Sequence, residues 1–274
     1  MKRWNVAWYN HDYRRNFNAI YSPILFRPLN VKFTYCFFAL ALACASGPVQ
    51  AQTSHDQAEA RAIYQQANTD AAAATMRTTL SNQKTGFYGG EAFKPGALRT
   101  FDGRYRPVPG LRFHAGLHVL EARDSIDTEI THIWPVGSLR GFDVGEAGGT
   151  GPDAPRRFRP RLVKEGSAGT RRDFVEVLTT VDGGPLLLAW LYSAGADTPA
   201  ARLSLAPVLL VGPGSTFGTD PLRPIELTQS AVLKLFGARA EAVKSFAATQ
   251  NLTYDRPADV AHMLDYYNRV AVVK

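Results

Sequence analysis

The chain has 274 residues, of which 31 are Lys or Arg and 24 are Asp or Glu, for a formal net charge of +7. Six of the basic residues and one acidic residue lie within residues 1–51, so the rest of the chain carries only +2. This near-neutral remainder argues against a nucleic-acid partner, because the apparent basicity belongs to the N-terminal segment alone.

Residues 31–52 have the three-part layout of a secretory signal peptide. Lys32 precedes an apolar run over residues 33–45, and the peptidase-type sequence Val49-Gln50-Ala51 follows. The run is shorter than the roughly 20 apolar residues that a transmembrane helix requires. We therefore predict a signal peptide over residues 1–51, with cleavage after Ala51 and export of a bacterial-type protein to the periplasm or the cell exterior.

Two features leave alternatives for this leader. Val31 is an alternative start, since the signal is compact from that residue onward. Cys44 follows a partial lipobox, so a lipoprotein attached at Cys44 is the alternative in which the protein meets a membrane. Both cysteines, Cys36 and Cys44, precede the cleavage site. The exported part therefore has no disulfide available and must be held by its core.

Residues 52–96 combine a helical pattern with a polar linker. Ser54 and Gln57 have the spacing of a capping box, which marks the first turn of a helix. Small and apolar residues then recur at helical intervals, at Ala60, Ile63 and Ala67. Because this stripe is only weakly apolar, it predicts a helix that lies on a surface, or a partly disordered arm.

Residues 97–211 have the pattern of β-structure, with short β-branched and aromatic runs separated by Gly and Pro. The first runs are residues 104–106, 111–120 and 131–134. The clearest unit joins residues 173–181 to residues 185–192 through Asp182-Gly183-Gly184. Asp-Gly between two strand-like runs strongly favours a β-hairpin.

After residue 221 the apolar period changes from two to about 3.6, which predicts two to three helices over residues 228–268. Pro257 stands near the start of the last helix, where its missing N–H costs nothing. The apolar stripe of that helix is Val260, Met263, Leu264 and Tyr267. We expect it to pack on one face of the hairpin, formed by Leu186, Leu188, Trp190 and Tyr192.

The order of these elements indicates an α+β fold rather than an alternating β-α-β fold. We predict a mainly antiparallel β-sheet or partial barrel, with an N-terminal helix and two to three C-terminal helices. The predicted organisation is a signal peptide over residues 1–51, a helical arm and linker over residues 52–96, and a single β-rich domain over residues 97–274.

Three short motifs follow one another near the C-terminus: Val232-Leu-Lys-Leu-Phe236, Asn251-Leu-Thr-Tyr254 and Asp265-Tyr-Tyr-Asn268. Their order and spacing, over about residues 97–268, resemble a class of uncharacterised secreted bacterial proteins with a β-rich body and a C-terminal helical tail. The resemblance implies export and this layout, and it supplies no catalytic residues. The chain departs from the class in an Arg- and Gly-rich insert near residues 145–172.

Two histidines and a carboxylate are the candidates for chemistry. If a hairpin turns near Ser125, paired positions sum to 250, so His118 faces His132 and Glu121 faces Glu129. Two imidazoles and a carboxylate that converge in this way could bind zinc. The alternative is that the histidines only form hydrogen bonds on an exposed sheet face. No third ligand with a supporting hydrogen-bond partner is visible in the sequence.

A run of cations precedes and follows residue 165: Arg156, Arg157, Arg159, Arg161, Lys164, Arg171 and Arg172. Such a run could hold the phosphate or carboxylate groups of an envelope polymer or of a lipid headgroup. The favoured interpretation is one solvated strand face, because Arg157, Arg159 and Arg161 alternate with Phe158 and Pro160.

Nucleophile motifs are missing from the sequence, since neither Ser167 nor Ser215 lies in a Gly-x-Ser-x-Gly elbow. We therefore expect a non-catalytic exported module of the envelope or the extracellular space, with a structural or binding role. Its expected partner is an envelope polymer or a protein, and no cofactor is expected. The alternative is a metal-dependent hydrolase that uses His118, His132 and Glu121. The sequence leaves the oligomeric state open.

Overall fold

The computed structural model describes residues 47–125, 130–150, 154–165, 169–180, 183–192, 207–215 and 219–272, with the backbone alone for residues 47–54, 165 and 272. Residues Ser46–Lys274 form one compact unit, so the segment predicted as an arm and linker belongs to the same unit as the sheet. The predicted signal peptide and Cys44 lie almost wholly outside the described residues, as do Glu129 and Ser167.

Helices occur at both ends of the described chain. They are α1 (Gly47–Ala67), α2 (Asp70–Asn82), α3 (Gln229–Lys234), α4 (Ala240–Thr249) and α5 (Pro257–Val272). Pro257 is the first residue of α5, as its position in the sequence predicts. Thr228 caps α3 by accepting a hydrogen bond from the backbone N–H of Ala231.

The described strands form one ten-stranded antiparallel sheet, which confirms the predicted sheet type. They are β1 (Lys94–Arg99), β2 (Tyr105–His114), β3 (Val119–Arg123), β4 (Thr131–Pro135), β5 (Gly141–Val144), β6 (Arg156–Glu165), β7 (Gly169–Val177), β8 (Leu187–Leu191), β9 (Val208–Gly212) and β10 (Arg223–Pro224). Their order in the sheet is β10-β9-β8-β7-β6-β5-β1-β2-β3-β4.

The predicted single strand over residues 111–120 is wrong, because the chain reverses inside it. A short 3-10 turn, Ala115–Leu117, separates β2 from β3, and His118 follows with φ of 56°. His118 therefore lies in the turn rather than in a strand. A histidine in this left-handed conformation is uncommon, and its neighbours must hold it there.

The hairpin predicted from Asp182-Gly183-Gly184 is confirmed. β7 and β8 are antiparallel, with Glu176 opposite Trp190. A Cβ added at Gly184 would lie 2.7 Å from Nδ2 of Asn268 in α5. The Asn268 amide donates to the Leu186 carbonyl at 2.7 Å and accepts from the Leu186 N–H at 3.0 Å. Gly184 therefore leaves the room that this contact between α5 and the hairpin needs.

Apolar side chains are buried on both faces of the sheet. The phenylalanine cluster comprises Phe113, Phe142, Phe158 and Phe174, together with smaller apolar residues. The valine–leucine cluster comprises Val163, Val175, Val177, Leu187, Leu191, Leu210 and Leu222 with Ala189. Phe174 and Val175 are consecutive in β7, so the two clusters lie on opposite faces of that strand.

Leu222 links two strands that are not neighbours in the sheet order. Its N–H donates to the Leu162 carbonyl at 2.8 Å, and its carbonyl accepts from the Lys164 N–H at 3.1 Å. The next residue, Arg223, pairs with Val211 in β9. The segment thus joins β6 to β9, and the strands between them surround the valine–leucine cluster.

The C-terminal helices pack on the face of β8 and β9 that is opposite the valine–leucine cluster. Leu188 and Val211 belong to the same buried cluster as Val260, Met263 and Leu264 of α5. Leu186 and Trp190 also border that cluster, as expected. Tyr192 instead packs against the phenylalanine cluster, so the predicted apolar face of the hairpin ends before it.

Helix α1 packs against β4, the outermost strand at the other end of the sheet. The Asn68 amide donates to the Ile133 carbonyl at 2.7 Å and accepts from the Ile133 N–H at 2.9 Å. The Tyr64 ring lies 4.2 Å from the Trp134 ring, measured between centroids. Among the described residues, no helix combines the length and the apolar character that crossing a membrane would take.

Candidate functional site

A buried carboxylate, Glu176, accepts hydrogen bonds from three side chains. It lies in β7 and is 2% exposed. The Tyr88 hydroxyl donates to its Oε2 at 3.3 Å, and the Tyr192 hydroxyl donates to the same atom. Arg156 donates from Nη1 to Oε1 at 3.1 Å. Both oxygens of the buried carboxylate therefore have partners, as burial of such a group requires.

The sheet and the aromatic packing bring these residues together. Tyr88 precedes β1, and its N–H donates to the Phe113 carbonyl at 2.8 Å. Its ring meets the rings of Phe158 and Tyr192 edge-on, with centroids 4.9 Å and 4.8 Å away. Because these rings pack in the phenylalanine cluster, they fix the direction in which the two hydroxyl groups point.

Burial raises the pKa of Tyr88, and the neighbouring Glu176 carboxylate raises it further. The pKa of Tyr192 is also raised strongly, first by burial and then by its hydrogen bond to Glu176. Burial disfavours the charged form of Arg156, but Glu176, Tyr88 and Tyr192 together outweigh this effect and raise the pKa of the guanidinium. At neutral pH both tyrosines are therefore protonated hydrogen-bond donors, and Arg156 is a cation.

An open groove of about 770 Å³ lies beside this cluster. Tyr88 and Arg156 line it together with Lys94 of β1. Residues 145–149, which include three glycines, also line it, and the Gly145 N–H donates to the Pro95 carbonyl at 2.8 Å. Gly148, with φ of 88°, has open space where a Cβ would stand. The groove is therefore lined by two cations, a tyrosine and a glycine-rich segment that carries the acidic Glu146.

Reasoning from the sequence identified only Arg156 among these residues, as one member of the basic run. Glu176 was not singled out, although it stands between Val175 and Val177 in the part of β7 where apolar residues predominate. A carboxylate in such a strand is a signal of a paired buried charge. Tyr88 and Tyr192 carry no comparable signal, because tyrosines are common in cores.

The hairpin predicted around Ser125 exists, but its predicted register is wrong. Ala122 pairs with His132, so paired positions sum to 254 rather than 250. Glu121 pairs with Ile133. Because neighbouring residues of a strand point to opposite faces, Glu121 and His132 lie on opposite faces of the sheet. The strand pairing therefore separates the candidate ligands.

Each candidate ligand is bound to a different partner. His118 Nδ1 lies 3.0 Å from Asp173 Oδ2. His132 Nε2 lies 3.2 Å from Asp124 Oδ2. Glu121 accepts from Arg112 Nε at 2.7 Å and from the Thr131 hydroxyl. Within the described part of the chain, no three His, Cys, Asp or Glu side chains are grouped closely enough to hold a metal ion. Glu129 is outside that part.

The basic run is not one solvated face. Arg159 is 3% exposed and Arg161 is 1% exposed, so the favoured interpretation is wrong for both. Arg159 Nη1 lies 2.7 Å from Asp143 Oδ1, and Arg161 is opposite Asp173 in the strand pairing. These two buried aspartates explain how the strand accommodates two cations in its interior. Arg156, in contrast, keeps 56% of its side chain exposed.

No match was found when the chain was compared with models of protein families, with curated proteins and with solved structures.

Proposed function

We propose that this chain is a non-catalytic module of the bacterial envelope or extracellular space, and that it binds an envelope polymer in the groove beside Glu176. One observation carries the proposal. Tyr88 and Arg156 line the groove while Glu176, buried behind them, accepts a hydrogen bond from each. Side chains held in place before the ligand arrives lose little conformational entropy on binding, so they favour recognition.

The chemistry of the cluster favours binding over catalysis. A tyrosine that acts as a nucleophile or base needs a lowered pKa or a free base beside it. Here the pKa of Tyr88 is raised, by burial and then by Glu176. Glu176 itself already accepts from Tyr88, Tyr192 and Arg156. The arrangement therefore keeps the tyrosines as donors and leaves the carboxylate occupied.

Export is part of the same proposal, and the pattern of residues 31–52 supports it. Cleavage after Ala51 would remove the first residues of α1, which begins at Gly47. Intact-mass analysis of the product released by an expressing bacterium tests this step. We expect a chain that begins at Gln52, whereas a lipid-modified Cys44 would place the protein at a membrane surface.

A blocked-groove variant tests the binding site. Ala147 is exposed and lines the groove, so Ala147→Trp fills it without touching the core. Ala248→Trp, on the exposed side of α4, is the matched control. Affinity electrophoresis through gels that contain neutral or acidic polysaccharides measures binding of the purified protein.

We expect at least one of these polymers to retard the parent and the Ala248→Trp control equally. Ala147→Trp should bind at least about tenfold more weakly. Blocking the contact region should cost at least about 1.4 kcal/mol of binding free energy, which corresponds to a tenfold change in affinity. If both variants are retarded equally, the binding site lies elsewhere on the protein. If no polymer retards the parent, the proposed function fails.

A further inference from the structure

We infer that another groove, between helix α1 and the turn that joins β1 to β2, binds a segment of an uncharged oligosaccharide. This α1 groove is lined by Ala58, Arg61 and Tyr64 of α1, Phe101 and Asp102 of the turn, and Trp134 of β4. Its volume is about 540 Å³, a usual size for a small-ligand site. No described residue lines both this groove and the groove beside Glu176, so the inference goes beyond the proposed function.

Three aromatic side chains line the α1 groove, and their neighbours hold them in place. The Tyr64 ring lies 4.2 Å from the Trp134 ring between centroids, and the Tyr64 hydroxyl lies 2.9 Å from His132 Nδ1. Gln57 Nε2 donates to the Phe101 carbonyl at 3.1 Å, which ties the turn to α1. The face of an aromatic ring carries negative charge density, which attracts the polarised C–H groups on the face of a sugar ring. Rings that are already held lose little conformational entropy on binding.

Trp134 also contributes a hydrogen-bond donor that no described residue accepts from. The residue is 8% exposed, and its indole Nε1 is buried without a partner. A buried indole N–H usually has an acceptor, because leaving it unpaired is costly. Thr100 and Ser138 line the same groove with hydroxyl groups. A hydroxylated ligand can satisfy these polar groups, whereas an aliphatic chain would leave them unpaired, so the lining favours a sugar over a lipid tail.

The charges around the α1 groove balance. Arg61 and Asp102 contribute one charge of each sign to the described lining. Next to them, Arg104 Nε lies 3.3 Å from Asp102 Oδ2, and Glu59 precedes Arg61 by two residues on α1. Two cations therefore accompany two carboxylates. A charged ligand would meet like charges as often as opposite ones, so this lining favours an uncharged ligand.

Trp134 can report on the occupation of the groove. The other tryptophans of the chain are Trp4, Trp8 and Trp190, and replacing these three by Phe leaves Trp134 as the single tryptophan. This full-length reporter is titrated with cellohexaose, maltohexaose and chitohexaose, which are uncharged. Oligogalacturonate and 1-octanol serve as the acidic and the apolar probe. Isothermal titration calorimetry of the unsubstituted chain measures the same affinities without relying on the reporter.

Two arginine substitutions on α1 test the location of the site. Ala58 is exposed and lines the groove, so Ala58→Arg fills it. Ala62→Arg is the matched control, because Ala62 is exposed one turn further along α1, lies outside the lining and gains the same charge. Ala147→Arg fills the groove beside Glu176 and separates the two sites. Thermal unfolding of each variant verifies that it is folded.

We expect at least one uncharged hexasaccharide to change the Trp134 emission to saturation, with a Kd of about 1 mM or lower. The Kd should vary less than about twofold between about 50 mM and about 500 mM NaCl, since salt screens only charge pairs. Ala58→Arg should weaken binding at least about tenfold, and Ala62→Arg and Ala147→Arg less than about twofold.

Three results would overturn the inference. They are binding of no uncharged hexasaccharide, tighter binding of oligogalacturonate or 1-octanol than of every uncharged one, and equal binding by Ala58→Arg and Ala62→Arg. Weakening by Ala147→Arg in place of Ala58→Arg would assign the sugar to the groove beside Glu176, which supports the proposed function and not this inference. Retardation in the gel assay with Ala147→Trp tests the proposed function independently.

Discussion

The Nδ1 atom of His118 lies 3.0 Å from Oδ2 of Asp173, a carboxylate with no exposed surface. His118 belongs to the turn between β2 and β3, whereas Asp173 is in β7. Three strands, β1, β5 and β6, separate β2 from β7 in the sheet. The contact therefore brings distant strands of a curved sheet together, and Phe113 and Phe174 meet inside the curve with centroids 5.8 Å apart.

We predict that His118→Ala lowers the free energy of unfolding by about 1.5–3 kcal/mol, the usual range for a hydrogen bond to a charged group. The substitution leaves buried Asp173 with fewer partners, although Arg171 Nη2 remains 3.1 Å away. Chemical denaturation monitored by tryptophan fluorescence measures the loss. The exposed His262, on α5, provides the control His262→Ala, which should cost less than about 0.5 kcal/mol. Equal stability of the two variants would show that the contact contributes nothing.

Leu264→Ala should lower the free energy of unfolding by about 2–5 kcal/mol, because Leu264 is fully buried between α5 and the sheet. Arg269→Ala, on the exposed side of the same helix, should change it by less than about 0.5 kcal/mol. Denaturant titration of both variants beside the parent gives the comparison. If Leu264→Ala also lowers the free energy of unfolding by less than about 0.5 kcal/mol, α5 is a separable tail.

Asn268→Leu should lower the free energy of unfolding by about 1–3 kcal/mol. Leucine fills a similar volume, but it removes the side-chain amide that forms hydrogen bonds with both the N–H and the carbonyl of Leu186. Hydrogen exchange should show faster exchange of the Leu186 amide. Asn82→Leu changes an exposed asparagine at the end of α2 and is the control for the added apolar surface. Unchanged protection of Leu186 would contradict the prediction.

His114 should make stability fall as the solution becomes mildly acidic. Its ring is buried, with Nε2 2.7 Å from the Gln83 carbonyl and Nδ1 accepting from the Leu117 N–H. Burial lowers the pKa of His114 in the folded protein below its ordinary value of about 6.5. Above that pH the His114 ring is neutral in both the folded and the unfolded protein. Below it the unfolded chain takes up a proton first, so stability decreases as pH falls.

Free energies of unfolding at about pH 7.5, 6.5 and 5.5 measure this effect in the parent and in His114→Gln. The variant should be less stable at the highest pH and should lose less stability between pH 6.5 and 5.5. Parallel pH profiles for the two proteins would assign the acid sensitivity to other groups.

Local patterns predicted the parts of the fold that depend on local sequence. The stripe that contains Leu264 repeats every three to four residues, so the helix and its buried side could be read from it. The hairpin before Leu187 follows from its Asp-Gly turn. The register around His132 could not be predicted, because the connection from β3 to β4 is longer than a two-residue turn and its centre is not set by sequence.

Contacts between distant residues explain the remaining differences. Arg159 and Arg161 alternate with apolar residues, a pattern that solvated strands share with buried ones. The carboxylates that neutralise them, Asp143 and Asp173, belong to other strands, and only the folded sheet brings them near. The Glu176 cluster is a similar case, since its hydrogen bond to Tyr88 spans 88 residues of sequence.

The Asn68 amide and the two-residue strand β10 have a consequence for behaviour at high concentration. Outermost strands with free N–H and carbonyl groups recruit strands from other molecules, which leads to aggregation and amyloid. At Ile133 in β4 both groups are already occupied by Asn68. At the opposite end, β10 is very short and contains Pro224, which has no N–H to offer. Both terminal strands thus carry local protection against strand exchange between molecules.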